Sequence, residues 1–473
     1  MKTVYISKII GIFISISVSA MFLFSCADDF PSNVESQNET VLRSIKILNA
    51  GADGNTVVEG VVNENTKTVT FPRIDPNTDV SAIRFEAELS DGSILDQDNY
   101  EFTYEEGQDS ETIVIKVINA PRFREYFVTL RLNVPVYGAN FENPIMFDHS
   151  NNGTLYPTFV SSLTRGAGFD GEHVLVVTRH EMGSHLLRLE DLRNDVINPI
   201  TLNSTGVEGG TLTVNVGAQA HGHTYIANLS AGLVSPFKIY HWTDPSQAPE
   251  VIANINKAEI EGAGARHGDN MSLSIDENGN GYMFFGDNAV TQILRLKVTN
   301  FTQITEPKVL QTQAGMGAFM NMNQIGNSEE FLLTGHEGPI MLTNADAVVS
   351  YTMARTSVPI GTLDPKVVFF NGERYLLTVT GHRGGAADHV AMYLYDITRG
   401  ATITEALEIF EAGNKTPLFQ HSLLGPQNTS ASTRADWHVI KDDEGNDDKL
   451  LLFGASNDAG FVIAEFPKKT LDD

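Results

Sequence analysis

Apolar and polar residues alternate with a period of two in the first third of the chain. Ile83, Phe85, Ala87 and Leu89 are interleaved with Arg84, Glu86 and Glu88. Tyr126, Val128, Leu130 and Leu132 fall on one face of another segment, opposite Thr129 and Arg131. This period predicts half-buried β-strands. Ile113–Val117 predicts another strand, and Asp53-Gly54 and Asp91-Gly92 supply turns between such segments. Residues 41–136 therefore predict a small immunoglobulin-like β-sandwich of short strands.

From residue 137 to 473 the pattern changes to apolar runs recurring about every 50 residues, a spacing in the range of propeller blades. One run of each unit is Val174–Thr178, Thr224–Asn228, Tyr282–Gly286, Phe331–Gly335, Tyr375–Val379 or Leu450–Gly454. Its partner is Leu186–Leu189, Phe237–Tyr240, Ile293–Leu296, Ile340–Thr343, Met392–Asp396 or Phe461–Ala464. Some units carry a preceding strand, such as Met271–Ile275 or Lys366–Phe370, joined through hairpin turns at Asp276–Gly281 and Asn371-Gly372. Six units predict an all-β chain ending in a six-bladed β-propeller. Seven blades is the alternative, because 140–170 and 400–435 are irregular. A second pair of sandwiches or a β-helix competes less well, since β-helix repeats are shorter. The last unit lacks an outer strand after Phe466, and Pro144–Phe147 is expected to supply it and close the ring.

The extreme N-terminus has a third pattern. Lys2 and Lys8 precede a mostly apolar run, Ile9–Phe24, which leads into Leu23-Phe24-Ser25-Cys26. The run is shorter than the ~20 residues of a spanning helix, which favours a processed signal. Val18-Ser19-Ala20 offers a plain secretory cleavage site as the alternative. Cys26 is the single cysteine, and an exported structural cysteine would need a partner. The segment resembles a bacterial lipoprotein signal, which implies lipidation of Cys26 and attachment to the outer membrane. Asp28-Asp29 resembles the signal that sends Bacteroides-type lipoproteins to the extracellular face. Residues 1–25 are then the signal peptide and 26–40 a flexible tether.

Composition narrows the function. There are 59 acidic against 32 basic residues, a net charge of −27. This excludes nucleic acid as the expected partner, since that needs a basic surface. There is no phosphate-binding glycine loop and no Gly-x-Ser-x-Gly nucleophile elbow.

Against this acidic background, histidines and arginines concentrate where a propeller would gather them on one face. The loops between second and third strands carry Arg179, His180, Glu181 and His185, then His336 and Glu337, then His382 and Arg383. Loops leading to inner strands carry Arg266, His267 and Asp269, then Asp436, Trp437 and His438. A lone loop histidine usually bonds a backbone carbonyl, and Trp437 fits a blade core as well as a sugar platform. The convergence from several blades nevertheless predicts one polar ligand pocket formed by Arg179, His180, Arg266, His267, Asp269, His336, Glu337, His382, Arg383, Trp437 and His438. Arginine forks there suit a carboxylate or sulfate. No metal site is expected. His221-Gly222-His223 lacks a third ligand, and the acidic run Asp442–Asp448, a weak calcium candidate, lacks EF-hand spacing. No cofactor is expected otherwise.

Ser44–Ile47, Lys67–Pro72 and Tyr126–Leu130 resemble the Ig-like modules that follow the lipid anchor in many Bacteroides surface lipoproteins. Anchor, tether, module and propeller together resemble the accessory lipoproteins of glycan-capture systems. That resemblance implies a glycan or other small polar ligand and an outer-membrane transporter as partner. Two alternatives stand beside it. One is a polysaccharide lyase or glycoside hydrolase on an acidic glycan, with His267 or His336 as base, or two of Glu181, Asp269, Glu337 and Asp436 as acid pair. The other is a propeller platform for protein–protein interaction.

Overall fold

The computed structural model describes residues 38–104, 108–133, 136–150, 163–288, 292–312, 316–381, 390–425 and 432–470. The expected signal peptide and Cys26 lie outside these residues, as does the expected tether up to residue 37. The last tether residues belong to the folded unit instead: Asn38 Nδ2 donates to the Ala120 carbonyl at 2.7 Å, and Tyr126 Oη donates to the Thr40 carbonyl at 3.3 Å. The chain divides into two compact units, Met1–Pro135 and Val136–Asp473.

The first unit is all-β. Seven strands form one hydrogen-bonded path in the order Phe85–Leu89, Leu42–Ala50, Thr56–Asn63, Thr68–Thr70, Arg122–Arg131, Ser110–Asn119 and Ile94–Leu95. Thr56–Asn63 pairs through its first half with Leu42–Ala50 and through its second half with Thr68–Thr70, so it joins the two halves of the path. The alternating apolar positions meet in one core, in which Ile45, Ile47, Ile115, Val117, Tyr126, Val128 and Leu130 are buried.

The second unit is a six-bladed β-propeller. Each blade is an antiparallel sheet of four strands. The innermost strands are Thr164–Phe169, Leu212–Ala220, Ser272–Ile275, Asn321–Gln324, Thr362–Phe370 and Thr433–Lys441, in blades 1 to 6. The apolar runs read from sequence are the second and third strands. They are buried on both faces because each blade is covered by its neighbours, so they read as continuous rather than alternating hydrophobics. Asn371 and Gly372 both take positive φ, 44° and 79°, as a two-residue hairpin turn of this twist requires.

The ring closes as expected. Ile145–Asp148 pairs antiparallel with Gly460–Pro467, placing Met146 beside Ala464 and Phe147 beside Ile463. The irregular stretch after residue 400 is a helix and not a seventh blade. Ile403–Ala412 is capped by the Thr402 hydroxyl, which accepts the Glu405 N–H at 3.1 Å. Its Ile403, Ala406, Leu407 and Phe410 are buried against Leu342, Met353 and Tyr395 of blades 4 and 5.

The axis of the propeller is filled by charge. Arg434, on the inner strand of blade 6, is 4 % exposed. Its Nε donates to the Ala167 carbonyl at 3.1 Å, and Nη2 to those of Gly217 and Met271, both at 2.8 Å. Asp364 of blade 5 lies 3.7 Å from its Nη1, and also accepts the Ala435 N–H at 2.7 Å and Asn323 Nδ2 at 2.8 Å. Asp436 is ion-paired with Lys366 and accepts the Phe169 N–H at 3.1 Å. Burial pushes its carboxyl up against the pull of Lys366 and Arg434. Two cations and two carboxylates thus tie the inner strands of all six blades together. Asp436, a sequence candidate for acid–base work, belongs to this network.

Candidate functional site

At one end of the axis the innermost strands begin and the second strands end. A cavity of about 100 Å³ lies there, lined by residues that include Arg165, Arg179, Asn215, Arg266, Asp269 and Phe319. Three arginines therefore face one small space in an acidic chain.

The three are held differently. Arg266 is bound by Asp269 in a bidentate fork, Nε to Oδ2 at 2.5 Å and Nη2 to Oδ1 at 2.9 Å. This pairing raises its pKa. Arg179 follows the second strand of blade 1. Its Nε donates to the Val214 carbonyl at 3.3 Å and its Nη2 to Asn215 Oδ1. Burial, reinforced by the neighbouring Arg165 charge, lowers it to about 10, so it stays protonated at neutral pH. Arg165 sits on the inner strand of blade 1, and its buried Nε has no hydrogen-bond partner among the described residues. Among the described residues, neither Arg165 nor Arg179 forms an ion pair with a carboxylate. Two like charges share a partly dry space, an arrangement an entering anion relieves.

The local backbone is built for close approach. Gly268 has φ +95°, and a Cβ on it would lie 1.9 Å from the Asn228 carbonyl oxygen. Its own carbonyl accepts Asn215 Nδ2 at 2.5 Å, which orients the Asn215 oxygen toward Arg179.

Of the residues expected in one pocket, Arg179, Arg266 and Asp269 line this cavity together. His180 lines a second, adjoining cavity that shares Arg179. The others lie elsewhere. Arg266–His267 is a two-residue strand that pairs with Ser230 and Ala231 of blade 2. Successive residues of a strand point to opposite sides, and His267 is fully buried, near Phe237 with ring centroids 6.1 Å apart. His336 and Glu337 lie outside the lining, on a loop whose backbone is pinned to Ala318 and Met316. Trp437 and His438 lie further along the inner strand that Arg434 begins. Trp437 packs on the apolar core of blades 5 and 6. The His438 ring rests against Gly171, in the turn at the opposite end of blade 1 from Arg179. His382 and Arg383 lie outside the described residues. Arg165, Asn215 and Phe319 were missed. The signal for Arg165 was its place at the start of Thr164–Phe169, an inner strand too rich in glycine and alanine to read as one.

The residues of the weak metal candidates make contacts within the protein. His223 Nδ1 lies 2.7 Å from His241 Nε2, and the His223 ring stacks on Phe301 at 3.9 Å. The Asp442 carboxylate accepts the Glu444 and Asn446 N–H groups of its own turn, at 3.0 and 2.8 Å. No group of three or more metal-ligating side chains occurs among the described residues.

The buried histidines give a pH prediction. Burial lowers His267 to about 3 and His241 to about 4, against ~6.5 in an unfolded chain. Between these values the unfolded state binds the extra proton, so stability is intact above pH 6.5 and is lost as pH falls toward the folded values. By pH 5 the loss is up to about 2 kcal/mol for each histidine. Urea melts at pH 7.5 and pH 5 measure it. His267→Phe should flatten its share of the slope, and an unchanged slope in that variant would refute the assignment.

The fold and site define a class: a six-bladed propeller with an arginine-lined mouth, preceded in the chain by a small all-β unit. The chain belongs to the DUF4623 family, a domain of unknown function whose model matches residues 28–469. A DUF4623 protein from Bacteroides eggerthii, known from its crystal structure, is 43% identical, with 91% of this chain and 99% of that one covered and a TM-score of 0.78. Two further structures are more distantly similar. They are a putative oxidoreductase (glucose dehydrogenase) from Thermus thermophilus, at 11% identity, 68% and 100% coverage and TM-score 0.34, and YCF48 from Cyanidioschyzon merolae, at 12%, 80% and 97%, and 0.35. No curated protein matches.

Proposed function

We propose that this chain is a binding protein whose propeller mouth receives an anionic group, the carboxylate or sulfate of an acidic glycan. The observation that carries the reading is the pair Arg165 and Arg179, facing one cavity without a carboxylate partner among the described residues. Binding is favoured over catalysis because the one carboxylate among the described lining residues, Asp269, is held by Arg266. In this reading the lipid on Cys26 anchors the protein to the outer membrane, facing outward, and the first unit is an Ig-like spacer beside a transporter partner. No helix among the described residues is long and apolar enough to cross a membrane.

The test uses the Cys26→Ala protein, which the anchoring reading expects in the soluble fraction. It is titrated calorimetrically with uronate-bearing, sulfated and neutral oligosaccharides of equal length. The acidic ones should bind, more weakly at higher salt, and Arg165→Gln should cost at least about tenfold in affinity. Equal binding of neutral and acidic oligosaccharides, or indifference to Arg165→Gln, would end this reading.

A further inference from the structure

Beside the mouth, between blades 1 and 2, lies a larger cavity of about 340 Å³. Arg179 and Leu212 line both spaces. One side of its wall is carbon, from Leu202, Val207, Val214, Ile226 and Trp242, and the other carries Thr178, His180, Ser184, Ser204 and Thr213. The carbon side belongs to one apolar cluster of the two blades.

The polar groups in that wall are mostly spent on the protein itself. Trp242 Nε1 donates to the Asn203 carbonyl at 3.0 Å, leaving the indole only its carbon surface for a ligand. The Ser184 hydroxyl accepts the Thr178 N–H at 3.2 Å and donates to the Thr178 carbonyl at 3.5 Å. The Val214 carbonyl accepts Arg179 Nε. The Ser204 and Thr213 hydroxyls, the Arg179 charge and His180 at the margin form a polar edge beside the carbon wall, so a ligand with one apolar body and one charged end matches both. His180 Nδ1 accepts the Met182 N–H at 3.3 Å, so the neutral ring carries its proton on Nε2.

We infer that this cavity binds the apolar body of a small amphipathic carboxylate, an acyl chain or an aromatic acid, whose carboxylate sits on Arg179. The cavity is at the lower end of the ~300–1,000 Å³ range of small-molecule sites, and its mixture of carbon walls with one fixed charge is the usual form of such sites. The inference rests on the reading of Arg179 as a ligand contact, but not on Arg165 or on any glycan.

The probes are octanoate and phenylacetate, with acetate as the anion without a body and octanol and benzyl alcohol as bodies without the charge. Binding is read by calorimetry and by the fluorescence of Trp242, one of two tryptophans in the chain. Octanoate or phenylacetate should bind at least about tenfold more tightly than acetate or the alcohols, and Arg179→Gln should remove that advantage. Val207→Phe, which fills the cavity from a half-buried position, should block both acids. Thr213→Trp, at an exposed position on the same rim, gives the same result should Val207→Phe fail to fold. Val207→Phe, which lies outside the lining of the mouth, should leave the binding of acidic glycans there in place. The inference is overturned if both acids bind no better than acetate, or if filling the cavity has no effect. Loss of glycan binding with retained octanoate binding would remove the function proposed above and leave this site standing, and the reverse pattern would do the opposite.

Discussion

Arg434→Met should destabilise the propeller by about 3–5 kcal/mol, the usual cost of removing one member of a buried ion pair. The side chain is 4 % exposed and donates to carbonyls of Ala167, Gly217 and Met271. Its loss leaves those oxygens without that donor and Asp364 without its cation at 3.7 Å. Methionine fills much of the volume but offers no N–H, so packing cannot replace what the guanidinium does. Urea denaturation of residues 136–473, followed by far-ultraviolet circular dichroism, measures the loss. Adding Asp364→Leu should recover part of it, because the orphaned charge then disappears with its partner. A loss under about 1 kcal/mol for Arg434→Met would show that the axial network contributes nothing to holding the ring.

A fragment beginning at Val136 should fold alone, whereas one beginning at residue 151 should not. The intervening residues are built into blades 5 and 6. Gly138 N–H donates to the Asn371 carbonyl at 2.9 Å, and Ala139 N–H to Tyr375 Oη at 3.1 Å. Ile145–Asp148 is the outer strand of blade 6, Asp148 Oδ2 lies 2.7 Å from His421 Nε2, and Ser150 Oγ accepts the Leu424 N–H at 3.0 Å. Without this segment, Gly460–Pro467 becomes an exposed edge strand and Phe147 and Met146 leave their clusters. The longer fragment should show one sharp thermal transition. The shorter should aggregate, or melt broadly and well below it. Equal melting of both would mean that closure by this strand is dispensable.

The parts of the fold legible in the sequence were those whose burial is two-sided. The second and third strands of each blade stand out because both faces are covered, and the closing strand was readable from the missing partner after Phe466. The other outer strands were not legible. Gln303–Gln311 has a single buried residue, Leu310, and Ile200–Thr201 is two residues long. The helix over blades 4 and 5 carried its own signal, Thr402 three residues before Glu405 and apolar residues at 403, 406, 407 and 410, which the surrounding β pattern obscured.

For the site, loop membership was legible only in part and side-chain direction was not. Arg266 and His267 are neighbours in sequence, yet one faces the cavity and the other is buried. Trp437 and His438 were assigned to a loop that is in fact strand. At ~3.3 Å per residue, His438 lies about 13 Å along the strand from Arg434. Arg165 shows the converse: the inner strand that presents it has too little hydrophobicity to announce itself.

The closing strand also determines how the molecule bears load. Residues 136–150 are the first part of the propeller reached from the N-terminal side, and they are also the clasp of its ring. Tension passed along the chain from whatever holds the N-terminal unit therefore falls first on the bonds of Gly138 and Ala139 to blade 5 and next on the four-residue pairing of Ile145–Asp148 with Gly460–Pro467. Under a pull the seam of blade 6 is the point of yield, and a ring opened there would lose its inner contacts one blade at a time.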